Sequence, residues 1–124
     1  MKETHSPEAC KESIGAVRDT LYVLSGKWKL PIIIALSAGP QRFKELQRAL
    51  EDITPKVLSK ELKELELNDF LIRKVYDTTP VTVEYELTPY SNSLNDIIVG
   101  LRNWGMQHRK RIMSKSRKTK LLTA

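Results

Sequence analysis

A change of hydrophobic period near residue 70 constrains this chain more than any other feature. Before it, apolar side chains recur at helical spacing. After it, they alternate. Phe43, Leu46, Ala49 and Leu50 mark a short helix over 43–50. Four residues follow, Glu51-Asp52-Ile53-Thr54, and a longer helix then runs from Pro55 to about Asn68. Thr54 suits its N-cap, because a hydroxyl there accepts an otherwise orphan first-turn N–H. Pro55 suits the first helical position, where the missing N–H costs nothing. Short helix, tight turn, longer helix is the outline of a helix-turn-helix. Residues 71–76 read as a strand and Asp77-Thr78-Thr79-Pro80 as a turn. Val81, Val83, Tyr85 and Leu87 then alternate with polar residues, predicting a strand with one buried face. Together they predict a hairpin directly after the second helix, the position of a wing.

The remaining segments are helical. Ile14, Val17, Leu21 and Leu24 recur at helical spacing from Cys10 to Leu24, and Gly26 fits a helix end. Residues 27–37 form a second apolar run in which Pro31 implies a late start or a kink. Thr88 and Pro89 open a last helix whose stripe is Leu94, Ile97, Ile98, Leu101 and Trp104. The predicted fold is mainly α with a small β-hairpin (α+β), a winged helix-turn-helix. Its expected organisation is a flexible leader at 1–9, one domain at 10–113 and a basic tail without regular structure at 114–124.

Charge points to the partner by its placement. The net charge is +6, yet residues 109–124 hold seven basic residues and no acid, while residues 1–108 balance to −1. Global charge is therefore weak evidence, and the helix over 55–68 matters more. At roughly 100° per residue, Leu58, Leu62 and Leu65 fall in one sector, with Lys56, Lys60 and Lys63 nearly opposite and Ser59 beside them. A lysine face opposite a leucine face is ordinary for a surface helix. On the second helix of a helix-turn-helix, with a hairpin next, it suits a major groove. There lysines meet phosphates and short polar groups reach base edges. Arg42 and Lys44 stand at the start of the 43–50 helix, whose free N–H groups favour anions. Arg73 and Lys74 lie on the first wing strand. The expected DNA contacts are thus Arg42, Lys44, Thr54, Pro55, Lys56, Ser59, Lys60, Lys63, Arg73 and Lys74.

Catalytic patterns are missing. His5 and His108 are the two histidines, far apart in sequence, with no metal-ligand spacing, phosphate loop or Ser/His/Asp pattern. No enzyme activity, metal or cofactor is expected. The longest apolar run, Leu30 to Leu36, is too short to span a membrane, no secretory signal is visible, and one cysteine makes no internal disulfide. A cytoplasmic protein is expected.

The chain resembles the HxlR-type regulators, winged-helix proteins related in fold to the MarR group. The resemblance rests on Gly26-Lys27-Trp28-Lys29 followed by Ile32-Ile33 and Leu36, then Arg42-Phe43-Lys44-Glu45-Leu46 and Ile53-Thr54. It continues through Leu58-Ser59-Lys60-Glu61-Leu62-Lys63-Glu64-Leu65-Glu66, Val83-Glu84-Tyr85-Glu86-Leu87-Thr88 and Trp104-Gly105. It spans residues 10 to about 112. It implies a bacterial or archaeal transcription factor acting as a dimer through its first and last helices, with 55–68 as recognition helix and about 71–87 as wing. It also places a cysteine near Cys10, which in some members senses oxidants or electrophiles. Two positions depart from the pattern. Pro80-Val81-Thr82 lacks the wing arginine common in the family, and Lys11 follows Cys10 where proline is common.

These readings converge on a homodimeric regulator binding double-stranded DNA at a pseudo-palindromic site. Leu21 and Tyr22 join Leu94, Ile97, Leu101 and Trp104 as the expected dimer seam. Two-fold symmetry would set recognition helices in successive major grooves about 34 Å apart. Cys10 is the candidate redox sensor, since Lys11 and a nearby helix start favour thiolate. A small-molecule effector is not identified by the residues. The alternative is a winged-helix module that binds protein and not DNA.

Overall fold

The computed structural model describes residues 6–123, with side chains to residue 118. The chain is mainly helical with one two-stranded antiparallel sheet. Helices α1 (Pro7–Leu24), α2 (Lys29–Leu36), α3 (Phe43–Leu50) and α4 (Pro55–Leu67) precede strands β1 (Leu71–Tyr76) and β2 (Thr82–Leu87). A 3-10 segment, Pro89–Leu94, then leads into α5 (Asn95–Thr123). The chain divides into two compact units at Tyr90/Ser91. No helix among the described residues is long and apolar enough to cross a membrane.

In the first unit, α2 packs on α3 and α4, and α4 packs on β1. Ile32, Ile33 and Leu36 of α2, Leu46 of α3, and Leu58, Leu62 and Leu65 of α4 form the buried core, closed by Ile53, Phe70 and Leu71. Pro31 neither delays nor breaks α2. It is the third helical residue, where an N–H has no intrahelical acceptor, and the first i→i−4 bond runs from Ile32 N–H to Trp28 O at 2.9 Å. The helix α4 stops in a Schellman turn. Phe70 N–H reaches Leu65 O (3.0 Å), Asp69 N–H reaches Glu66 O (3.1 Å), and Asp69 takes φ 66°.

Several expectations at the ends of elements are corrected. Helix α1 begins at Pro7, so Ser6 to Ala9 do not belong to a flexible leader; Ser6 Oγ accepts from Ala9 N–H at 3.1 Å and caps the helix. Residues 1–5, including His5, lie outside the described residues. Residues 114–123 are helical, continuing α5. Extending an existing helix needs no new nucleus, Lys and Arg are good helix formers, and cations near a helix C-terminus complement its dipole. The last helix does not start at Pro89, because a 3-10 turn intervenes.

The expected buried face of the second strand is absent. Every residue of β2 is half-buried, and Val81 is exposed and outside the strand. A two-stranded ribbon has little to cover it, so neither face of β2 is fully buried, even where the ribbon meets the helices. There Gln41 bridges the free edge of β2. Its N–H donates to Tyr85 O (3.0 Å) and Tyr85 N–H donates to Gln41 O (2.8 Å), while Gln41 Nε2 donates to Ala35 O (2.5 Å). The linker between α2 and α3 thus anchors the wing.

Candidate nucleic-acid interface

The face of α4 opposite the core is built as its periodicity predicts. Leu58, Leu62 and Leu65 are buried, whereas Lys56, Ser59, Lys60 and Lys63 are exposed. Thr54 Oγ1 accepts from Val57 N–H at 3.2 Å, so Thr54 caps the helix and Pro55 occupies its first turn. Three ammonium groups and one hydroxyl stand on a rigid helix whose other side is fixed in the core. Lys60 lies 4.0 Å from the Glu64 carboxylate, a loose surface pair that leaves it available to another anion. Leu67 is exposed at the end of this helix.

A buried ion pair sets the attitude of α4. The Lys29 ammonium, from the first turn of α2, lies 2.8 Å from Glu61 and 2.6 Å from Glu64. Burial alone would lower the Lys29 pKa, but the hydrogen bonds and charges of both carboxylates outweigh it and hold the pKa above the usual 10.5. The hydrogen bond from Lys29 pulls Glu64 below its usual 4.5, against its own desolvation. Glu61 and Glu64 are thus turned towards α2, with the second Glu64 oxygen staying 4.0 Å from Lys60. Sequence reasoning missed Lys29, although a signal was present. Lys29, Ile32, Ile33 and Leu36 share the i, i+3, i+4, i+7 spacing of one buried face, and a cation at such a position requires an anion.

The start of α3 is cationic in a different way than expected. Glu45 Oε1 accepts the Arg42 backbone N–H at 2.9 Å, so one orphan donor of the helix start is already satisfied by the chain itself. What remains is side-chain charge. Arg42, Lys44 and Arg48 line an open groove of about 640 Å³ together with Phe43, Glu45 and Glu84. Arg48 was not foreseen; it follows Lys44 by four residues and so shares its helix face.

The wing is less cationic than its sequence. Arg73 and Lys74 are exposed on β1, but Lys74 Nζ is 2.5 Å from Glu86 on the paired strand, and this hydrogen bond raises the lysine pKa. Lys74 therefore already has an anion, which leaves Arg73 as the wing cation better placed for phosphate.

Outside these elements, α1 and α5 each carry an uncovered apolar stripe. Ile14, Val17, Leu21 (60% exposed) and Tyr22 (86%) face outward on α1, and Leu24 is its one buried residue. On α5, Ile97, Leu101 and Trp104 (65%) are exposed, and the Trp104 ring stacks on His108 with centroids 4.7 Å apart. Leu94 does not belong with them. At 6% exposed it is buried within the chain, in the 3-10 turn that precedes α5, and has little surface to offer a partner. Cys10 is exposed near the start of α1.

Comparison with known proteins gives one answer by sequence and by structure. Residues 23–113 match the model of the HxlR-like helix-turn-helix family. The chain is 42% identical over 97 residues to the uncharacterized HTH-type transcriptional regulator YtcD of Bacillus subtilis, covering 78% of this chain and 77% of that protein. The reduced form of the redox regulator HypR superposes with a TM-score of 0.75 at 35% identity, over 80% of this chain and 98% of HypR. A protein from Enterococcus faecalis V583 assigned to the MarR family superposes with a TM-score of 0.71 at 31% identity, over 90% of this chain and 96% of that one. With a match across most of its length, the chain belongs to the HxlR-like helix-turn-helix family, whose similar members are transcriptional regulators.

Proposed function

We propose that this regulator is a cytoplasmic, non-enzymatic homodimer that binds double-stranded DNA sequence-specifically. Helix α4 enters the major groove, and the β1–β2 wing lies near the backbone. The observation that carries this reading is the two-sided α4. Its leucines are locked in the core, and Lys56, Ser59, Lys60 and Lys63 are all exposed on the second helix of a helix-turn-helix. Lysines anchor phosphates, and Ser59 is the short polar group that reaches base edges. Thr54 and Pro55 begin that helix, and Arg42, Lys44 and Arg73 add backbone contacts from α3 and the wing.

The exposed stripes of α1 and α5 support the dimer. Exposed apolar stripes of this kind mark an interaction site, and a second copy offers the same stripes in return. Leu21, Tyr22, Ile97, Leu101 and Trp104 form the seam in this reading, and a two-fold axis presents two α4 helices to an inverted repeat. Cys10 is the regulatory residue. It is exposed, and the similar protein HypR is a redox regulator with distinct reduced and oxidized forms. With one cysteine per chain, oxidation yields an intersubunit disulfide or a mixed adduct.

The test is selection of duplex fragments from a genomic pool by the purified protein at near-physiological salt. A few enriched intergenic fragments sharing an inverted repeat are expected. Fragments recovered without any shared sequence would overturn the reading and favour a module that binds another protein.

A further inference from the structure

We infer that the C-terminal part of α5 is a second, sequence-independent contact to the phosphate backbone of duplex DNA. The inference rests on the DNA-binding reading above. After Asp96 the chain contains no acidic residue, and α5 continues as helix through Thr123. Arg109, Lys110, Arg111, Lys115, Arg117 and Lys118 are all exposed on it. At a helical rise they span about 14 Å, one positive charge every 2–3 Å. A DNA duplex carries one negative charge per about 1.7 Å, so the two linear charge densities are of the same order.

Helical order is what makes this a surface. As coil, the six cations would spread apart and lower their mutual repulsion. As helix, Arg111, Lys115 and Lys118 are held at i, i+4 and i+7 on one face, where like charges oppose folding, and they line a common recess with Ser114. A polyanion relieves that repulsion and gains the entropy of released counterions. The arrangement does not suit a lipid surface. The cations cover about two-thirds of the helical wheel and leave a narrow sector holding His108, Ile112 and Ser116. A membrane-lying helix needs a broad apolar face with large side chains.

The experiment uses the full chain and a variant with all six cations changed to Gln, which has nearly the same helix propensity as Lys and Arg. Circular dichroism and gel filtration establish that the variant keeps its fold and oligomeric state. Binding to a duplex carrying the selected repeat and to an unrelated duplex of equal length is measured against salt. The variant should lose affinity for both duplexes by the same factor, at least about tenfold, and its log–log salt slope should be shallower by up to about 5 per chain. Selectivity between the two should be unchanged. Equal slopes for the two proteins would overturn the inference. So would equal slopes combined with loss of binding to phosphatidylglycerol vesicles, which would assign the segment to a membrane surface. Failure of the α4 reading is separately visible, because the unvaried chain would then show no selectivity while the slope on unrelated duplex still reports on the tail.

Discussion

Replacing Lys29 by Met tests how α4 is held. Methionine keeps the apolar stem and removes the ammonium, which lies 2.8 Å from Glu61 and 2.6 Å from Glu64. Glu61 then loses its counter-charge and Glu64 keeps the loose Lys60 pair at 4.0 Å, with side-chain exposures of 12% and 38%. Removing one partner of a fully buried pair costs about 3–5 kcal/mol. Glu64 is exposed enough to be rehydrated, so the penalty falls mainly on Glu61 and the expected loss is about 2 kcal/mol. For a domain of this size that lowers the melting temperature by about 10 °C. Thermal unfolding by circular dichroism at fixed protein concentration measures it. The loss should depend on pH. The Glu64 pKa is depressed in the folded chain, so its contribution is complete above 4.5 and is lost as pH falls through the folded value. The Lys29 pKa is raised, so its contribution is complete below 10.5 and is lost as pH rises through the folded value. The gap between the two proteins should therefore be widest between these limits and narrow in acid. Adding Glu61→Gln and Glu64→Gln to the variant should recover most of the loss. Equal stabilities at pH 7, or a gap that persists unchanged into acid, would refute the account.

Other perturbations address other parts of the molecule. Alanine at Lys56, Lys60 and Lys63 together should weaken operator binding and make the salt slope shallower by up to about 3 per chain, since each phosphate contact contributes about 0.9; filter binding against salt measures it. Leu62→Ala, in a fully buried position between the core helices, should cost about 3 kcal/mol in denaturant unfolding. Asp69→Gly should stabilise the chain by about 0.5–1 kcal/mol, because Asp69 holds the left-handed φ that ends α4 and glycine adopts it without strain. Glu86→Gln should release Lys74 and steepen the salt slope of duplex binding by about 1, which an unchanged slope would contradict.

Much of the fold was legible because it follows from local rules. The four-residue turn, the Thr54-Pro55 start of α4, its leucine face and the switch to a period of two all act within a few residues of each other. Ser6-Pro7 carries the same start signal as Thr54-Pro55, so the beginning of α1 was equally open to reading. The lysine face of α4 followed from the same wheel as its core.

What tertiary structure decided lay in pairings between segments far apart in sequence. The Lys29 ammonium meets Glu61 and Glu64 more than thirty residues away, and no local pattern names a partner at that distance. Lys74 is neutralised by Glu86 across the hairpin, which depends on the register of the strands. The alternation of β2 predicted a buried face that a two-stranded ribbon has too few neighbours to bury. Composition alone made residues 114–124 a disordered tail, whereas a helix already nucleated upstream continues as helix to Thr123. The sequence by itself determined which elements form and which faces are apolar, because periodicity, caps and breakers operate over a few bonds. Only the tertiary structure decided which charges are spent inside the chain and which remain for a partner, because that depends on which segments the folded backbone brings within a few ångströms.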